Sequence, residues 1–365
     1  MKKIISIILS AVIAFSLTAC GSTSNSNSDY EANYKNKLKN TELNVFNWGE
    51  YIAEGEDGGM NVIKEFEKVT GIKVNYHTFD SNESMYAKLN SGTAYDILIP
   101  SDYMIERLIN EKKLQKLDFS KLTNYKYISD DYKNLYFDKK NEYSVPYNVG
   151  MVGLIYDKTK VNPAPDSWSV MWDKKYKGQI LTFNNSRDAF AIAQFLLGID
   201  INSTNKKDWD KAAKKLKEQN PLLQARVMDE VFGKMESGEA AIAPYYAGDY
   251  YTMLDTNENL GFVYPKEGTN IFVDSICIPK NAQNVDAAHL FINFLLEPKV
   301  ALENAEYLCY ASPNTAVVSN DEYSFKDDEI LYPSKDKKPK TEYYHDIDSK
   351  TRDYFEKLWE EVILN

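Results

Sequence analysis

Short apolar strands alternate with amphipathic helices along most of this chain, and that order restricts it to an α/β fold with a largely parallel, helix-covered sheet. Leu43-Asn44-Val45-Phe46 reads as a strand that ends at Asn47-Trp48-Gly49-Glu50-Tyr51. Met60, Val62, Ile63, Phe66 and Val69 fall mainly on one helical face, and Gly71 stands where a left-handed residue closes a helix. Ile72, Val74 and Tyr76 alternate as a second strand. Tyr95-Asp96-Ile97-Leu98-Ile99 is a short buried strand stopped by Pro100, and Ser101 is placed to cap a helix through Met104, Ile105 and Leu108. A second unit begins near Val149. Its strands run over 152–156, 179–183, 239–244, 262–264 and 271–278, with Ser186 as the expected cap of a helix through Ala189, Ala193 and Phe195. Helices over 209–216, 285–296, 298–308 and 349–363 complete it, and no internal repeat is present. Two α/β lobes follow.

The first twenty residues carry an address. Met1 to Lys3 is basic, Ile4 to Leu17 is apolar apart from Ser6, Ser10 and Ser16, and Leu17-Thr18-Ala19-Cys20 follows. This is a secretory signal, too short and wrongly flanked for a membrane span. Its ending resembles the bacterial lipobox, which implies cleavage after residue 19 and lipidation of Cys20; the plainer alternative is an ordinary cut near Ala19. Residues 21–40 are polar, without apolar period, and read as a flexible leash with a root-mean-square reach of roughly 25 Å. The expected product is exported and held on the outer face of the cell membrane.

Removing the signal takes away Lys2 and Lys3, so the formal charge moves from −11 to −13. Such an acidic surface suits cations and disfavours nucleic acid or anionic lipid. A hydrophobic content of 43% is ample for a core and argues against disorder. Cys277 and Cys309 are too few for a disulfide scaffold and lack metal spacing; two buried thiols or one disulfide remain open. His77, His289 and His345 are scattered, so no metal site is expected, and no nucleotide-binding or nucleophile-elbow motif occurs. No cofactor is expected.

In open α/β sheets, ligands bind beyond the carboxyl ends of the strands. That rule selects Trp48, Glu50 and Tyr51 after the first strand, and Ser101, Asp102 and Tyr103 after Pro100. It also selects Asn185, Arg187 and Asp188, then Tyr245, Tyr246 and Asp249, with Phe272 and Asp274 in the late strand. Aromatics beside carboxylates suit organic cations, since a carboxylate neutralises an ammonium while aromatic faces attract it and pack its methylenes. Asp80, Asp118 and the acids of the tail are read as solvated.

Together, in order and across nearly the whole mature length, a set of segments resembles the extracytoplasmic spermidine/putrescine-binding proteins of ABC importers. They are Phe46-Asn47-Trp48-Gly49-Glu50-Tyr51, Thr70-Gly71-Ile72-Lys73-Val74, the run from Ser81 to Leu89, Ala94-Tyr95-Asp96 with Pro100-Ser101, and Tyr176-Lys177-Gly178. Further along stand Val263-Tyr264-Pro265-Lys266-Glu267-Gly268, Asp274-Ser275, Ile292-Asn293-Phe294-Leu295-Leu296 and Tyr310-Ala311-Ser312-Pro313-Asn314. The resemblance implies a two-lobed periplasmic-binding-protein type II fold, each lobe a mixed sheet flanked by helices, with hinge strands between lobes. It places lobe 1 at 41–149 plus 273–310 and lobe 2 at 150–272 plus 311–365, behind the 1–19 signal and the 20–40 linker. By position, Trp48 and Tyr51 would sandwich an aliphatic chain with Ser101 and Tyr103 nearby, Asp188 and Asp274 would hold amines, and Arg187 would pair with or orient a carboxylate. Tyr246 and Phe272 stand where spermidine-preferring members place tryptophans, and Tyr310 matches a family tyrosine near the ligand. Asn185 replaces an acid, Asp188 a glutamate and Tyr344 a glutamine, while Asp249 and Phe272 resemble the putrescine-preferring branch.

The implied activity is capture of a polyamine, with a mild lean to putrescine, by a monomer that delivers it to an ABC permease driven by a cytoplasmic ATPase. Three other functions are compatible with the residues: ferric-iron capture by Tyr245 and Tyr246, a surface-tethered hydrolase, and an adhesin or sensor domain of the same fold.

Overall fold

The structure, a computed structural model, describes residues 29–364 apart from 36, 37, 39, 40, 56 and 57. The signal and Cys20 lie outside the described residues. The strands are β1 (Glu42–Trp48), β2 (Lys73–Phe79), β3 (Ile97–Leu98), β4 (Ser144–Asp157), β5 (Ile180–Phe183), β6 (Leu223–Val227), β7 (Ile242–Tyr246), β8 (Leu260–Val263), β9 (Thr269–Cys277) and β10 (Thr341–Glu342). The helices of the first part are α1 (Asp29–Tyr34), α2 (Val62–Thr70), α3 (Asn82–Asn90) and α4 (Asp102–Asn110). The middle holds α5 (Ser186–Leu197), α6 (Lys206–Gln219), α7 (Glu230–Glu236) and α8 (Ala247–Thr256). Then come α9 (Val285–Leu295), α10 (Pro298–Leu308), α11 (Thr315–Val318) and α12 (Ser349–Ile363).

These strands join into one curled mixed sheet in the order β2-β1-β3-β9-β4-β7-β5-β6, with β8 on β4 and β10 on β9. Two strands belong to both sides of it. β4 is buried at all fourteen positions and pairs antiparallel with β9 from Ser144↔Cys277 to Met151↔Ile271. The rest of β4 pairs with β7 and β8, from Val152↔Tyr246 to Asp157↔Leu260. On one side β1 lies parallel to β2 and β3; on the other β5 lies parallel to β6 and β7. The first half of β4 has no strand signature in sequence, because a fully buried strand shows no alternation and Pro146 argues against one. Here Pro146 sits at a break in the pairing register.

Local chemistry accounts for the helix ends beside the sheet. The Asn61 side chain caps α2 by accepting from Lys64 N, and Gly71 closes it at φ 76°. A capping box between Ser81 and Ser84 starts α3. The cap of α5 is Asn185, not Ser186: its oxygen accepts from Arg187 N and Asp188 N. Asparagine competes well for that position, and the cap places Arg187 and Asp188 in the first turn of α5.

Two apolar cores flank the shared strands, one around Phe183, Phe190, Trp209 and Ile242, the other around Leu43, Phe66, Ile97 and Phe291. Part of the expected linker belongs to the second. Tyr34, on α1, is 1% exposed, stands edge-on to Phe294 at 5.3 Å, and donates to the Asn293 carbonyl. One aromatic anchor has no period to betray it, yet its burial contributes about 1.5–3 kcal/mol. Cys277 is buried and Cys309 half-buried, and both are free thiols. No helix among the described residues is long and apolar enough to cross a membrane.

Candidate functional site

The carboxyl ends of β1, β2, β5, β6 and β7 converge on one cavity between the two halves of the sheet. Fifteen of the sixteen residues singled out by sequence line it: Trp48, Glu50, Tyr51, Ser101, Tyr103, Asn185, Arg187, Asp188, Tyr245, Tyr246, Asp249, Phe272, Asp274, Tyr310 and Tyr344. Asp102 does not. It turns away, buried, and accepts from the backbone N–H groups of Tyr103 and Val273 at 2.7 and 3.1 Å, bracing α4 against β9. Sequence reasoning missed Gly49, Phe79, Asp80, Asn82, Met228, Asp229, Phe232 and Asn270. Asp80, read as solvated, is exposed yet lines this cavity, and its charge adds to burial in raising the Asp229 carboxyl above its ordinary value.

The walls are aromatic. Tyr51 meets Tyr310 edge-on at 5.4 Å, Tyr246 meets Phe272 at 5.5 Å, and Trp48 leans on Phe79 at 4.6 Å. Glycine makes two of these placements possible. The Phe272 ring lies on Gly150 and the Tyr310 ring on Gly248, each where a Cβ would stand.

Carboxylates sit among those rings. Asp274 is 4% exposed; its Oδ2 accepts from the Tyr51 hydroxyl at 2.7 Å, while no described donor is hydrogen-bonded to its Oδ1. Burial pushes the Asp274 carboxyl up to about 6, against the Tyr51 and Ser101 hydroxyls, which favour its charged form. Asp188 is held by three donors: Tyr246 at 2.8 Å, Tyr344 at 2.9 Å and the Asn185 amide at 3.1 Å. Burial nonetheless raises it to about 6. Asp249, in the first turn of α8, is pushed up to about 7 by burial and by the charges of Asp229 and Glu50.

Arg187 is the cation of the lining, 3% exposed. Its Nη2 donates to Asn202 Oδ1 and to the His345 carbonyl rather than to a carboxylate, and its guanidinium lies over Tyr344 at 4.6 Å. Of the two expectations, pairing with a carboxylate or orienting one, no ion pair of Arg187 with a carboxylate occurs among the described residues. A cavity lined by the buried carboxylates of Asp188 and Asp274, the half-buried one of Asp249 and several aromatic rings presents a negative, aromatic interior suited to an organic cation. No cluster of three or more His, Cys, Asp or Glu side chains suited to a metal occurs among the described residues.

Residues 61–333 match the bacterial extracellular solute-binding protein family. The chain belongs to that family. This solute-binding protein is 34% identical over 325 residues to the spermidine/putrescine-binding periplasmic protein of Escherichia coli K12, covering 87% of this chain and 92% of the relative. It is 30% identical over 319 residues to that organism's putrescine-binding periplasmic protein, covering 82% and 85%. A solved structure of a spermidine/putrescine ABC transporter substrate-binding protein from Streptococcus pneumoniae matches with a TM-score of 0.73 at 36% identity, over 89% of this chain and 99% of that one. A Listeria monocytogenes structure, provisionally named a spermidine/putrescine transporter, reaches 0.84 at 39% identity with the same coverage. The expected two-lobed type II architecture is the fold of these neighbours, and neither iron capture nor hydrolysis is favoured by them.

Proposed function

We propose that this solute-binding protein captures polyamines and hands them to an ABC permease, without catalysis of its own. The observation that carries this is the trio Asp188, Asp249 and Asp274 lining one aromatic cavity, the first and last of them buried and the second half-buried. A buried carboxylate that lacks a cation is costly, and an ammonium supplies one while its methylenes fill the ring-lined space. The names of the curated relatives support the ligand class.

In this reading the lining residues divide the work. Asp188 and Asp274 take one ammonium between the two halves, and Trp48, Tyr51, Tyr246, Phe272 and Tyr310 pack the chain. Asp249 takes the far ammonium of a four-carbon diamine, which favours putrescine over spermidine. The lobes run from 41 to 149 plus 273 to 310, joined by α1, and from 150 to 272 plus 311 to 365. They close on the ligand about the shared strands β4 and β9. A monomer, lipidated at Cys20, would stay on the outer membrane face beside its permease, with ATP consumed by a separate cytoplasmic subunit. Calorimetric titration with putrescine, spermidine and ferric iron tests this. Tighter binding of putrescine is expected; clearly tighter spermidine binding removes the length preference, and absence of heat with both polyamines removes the function.

A further inference from the structure

Tyr344 reaches the site on neither a helix nor a central strand. It is carried by a strap, residues 341–347, whose regular structure is confined to the two-residue strand β10. Something else must therefore fix where its hydroxyl meets Asp188. On the β5–β8 half, Asn202 Nδ2 donates to the Tyr343 carbonyl at 2.8 Å, Asn202 Oδ1 accepts from His345 N at 2.7 Å, and Arg352 Nη1 donates to Asp346 Oδ1 at 2.6 Å. On the β1–β3 half, α4 holds the other flank. Glu106 Oε2 accepts from Asp346 N at 2.7 Å and lies 3.5 Å from His345 Nδ1, and Asn110 Nδ2 donates to Asp346 Oδ2 at 3.3 Å. The Tyr136 hydroxyl donates to the Tyr344 carbonyl, and the Tyr344 ring stands edge-on to Tyr103 of α4 at 5.8 Å. The strap is thus bonded from both halves at once, one and two residues past the tyrosine that touches Asp188.

The geometry points to Glu106 as a positioning residue of the binding site: it anchors the strap to α4 and so sets the Tyr344 hydroxyl on Asp188. Glu106 does not line the cavity, so its effect on a ligand has to pass through the strap. Because the anchor joins the two halves, it resists their separation more than it assists their first encounter with ligand, and its loss is expected in the dissociation rate. This rests on the polyamine-capture reading, and the test separates the two.

The full-length exported chain, Glu106→Ala, Glu106→Gln, Tyr344→Phe and the double variant Glu106→Ala/Tyr344→Phe are titrated with putrescine and with spermidine, and dissociation is followed by stopped flow. Glu106→Ala is expected to weaken binding about tenfold, the low end of what loss of a hydrogen bond to a charged group causes, since Glu106 is partly exposed. Most of the change appears as faster dissociation. Glu106→Gln keeps an acceptor for Asp346 N and is expected to restore affinity to within about threefold of the parent. In the Tyr344→Phe background, Glu106→Ala is expected to cost no more than about twofold, because both changes remove one coupled arrangement. Additive losses in that cycle, or an unaltered dissociation rate, overturn the assignment. Asn110→Ala, which removes the neighbouring bond to Asp346, replaces Glu106→Ala if that variant does not fold, with the same direction expected. A parent protein that binds neither polyamine overturns the capture reading and this assignment with it; a parent that binds with additive losses overturns the assignment alone.

Discussion

Asp274→Asn should weaken ligand binding while making the empty protein harder to unfold. The carboxyl is 4% exposed and its value rises from 3.8 to about 6 through burial. Holding it ionised at pH 7.5 therefore costs the fold about 3 kcal/mol. Asparagine removes that cost and keeps an acceptor for the Tyr51 hydroxyl, giving up about 1 kcal/mol of charge assistance in that bond. The balance is a gain of about 2 kcal/mol, or about 3 °C in melting temperature for a chain of this size. At pH 5 the folded carboxyl is largely protonated but the unfolded one is still ionised, so about half of the cost remains, and the gain should disappear only below about pH 4. Binding moves the other way, because the ammonium loses its counter-charge in a desolvated site, and affinity should drop at least about thirtyfold. Melting curves at pH 5 and 7.5, paired with calorimetric titration of putrescine and spermidine, read both effects. A variant that melts lower than the parent at pH 7.5, or that binds as tightly as the parent, would refute the account of Asp274 as a strained carboxylate awaiting a cation.

Protonation gives a second outcome. Asp188 and Asp274 at about 6 and Asp249 at about 7 lie above the unfolded carboxyl value, so the empty fold retains protons that the unfolded chain has lost. Its stability should fall as pH rises from about 4 through 7, whereas affinity for a polyammonium should rise over pH 5.5 to 7.5 as the three groups ionise; titration across that range would show a flat profile if the carboxylates did not hold the ligand. Gly248→Ala puts a methyl group into the Tyr310 ring and should raise the dissociation constant at least about fivefold and lower the melting temperature, both measurable on one preparation. Cys20→Ala should release the protein from the membrane fraction into the medium or periplasm, and retention in the membrane pellet would remove the proposed anchor.

Much of this was legible because strand ends announce themselves. Trp48, Asn185 and Tyr246 follow or end recognisable apolar runs, and the cavity forms where those runs stop. The missed lining residues follow strands whose ends were misplaced or unseen. β2 continues to Phe79, three residues past the last alternating position, and this carries Phe79, Asp80 and Asn82 to the cavity. β6 contains Gln224 and Arg226, too polar to read as a strand, yet Met228 and Asp229 follow directly from it. Asp102 and Asp188 look alike in sequence, each a carboxylate in the first turn of a helix. Which one faces the cavity depends on whether backbone N–H groups of another strand are within reach, and Val273 N satisfies Asp102 from across the sheet. Such pairings join residues more than a hundred and fifty positions apart and leave no local pattern.

The small helix α1 bears on how the receptor stands at its membrane. Tyr34 pins the start of the folded body to α9, beside Asn293 and Glu297. With a lipid on Cys20, only eight residues would separate the anchor from Asp29, and those nine steps along the chain span at most about 30 Å even when fully drawn out. The proposed anchor would then keep the face around α9 within that distance of the bilayer. So short a tether would confine the cavity to a narrow zone above the membrane and leave little of the wide sweep that a tether of twenty residues would allow.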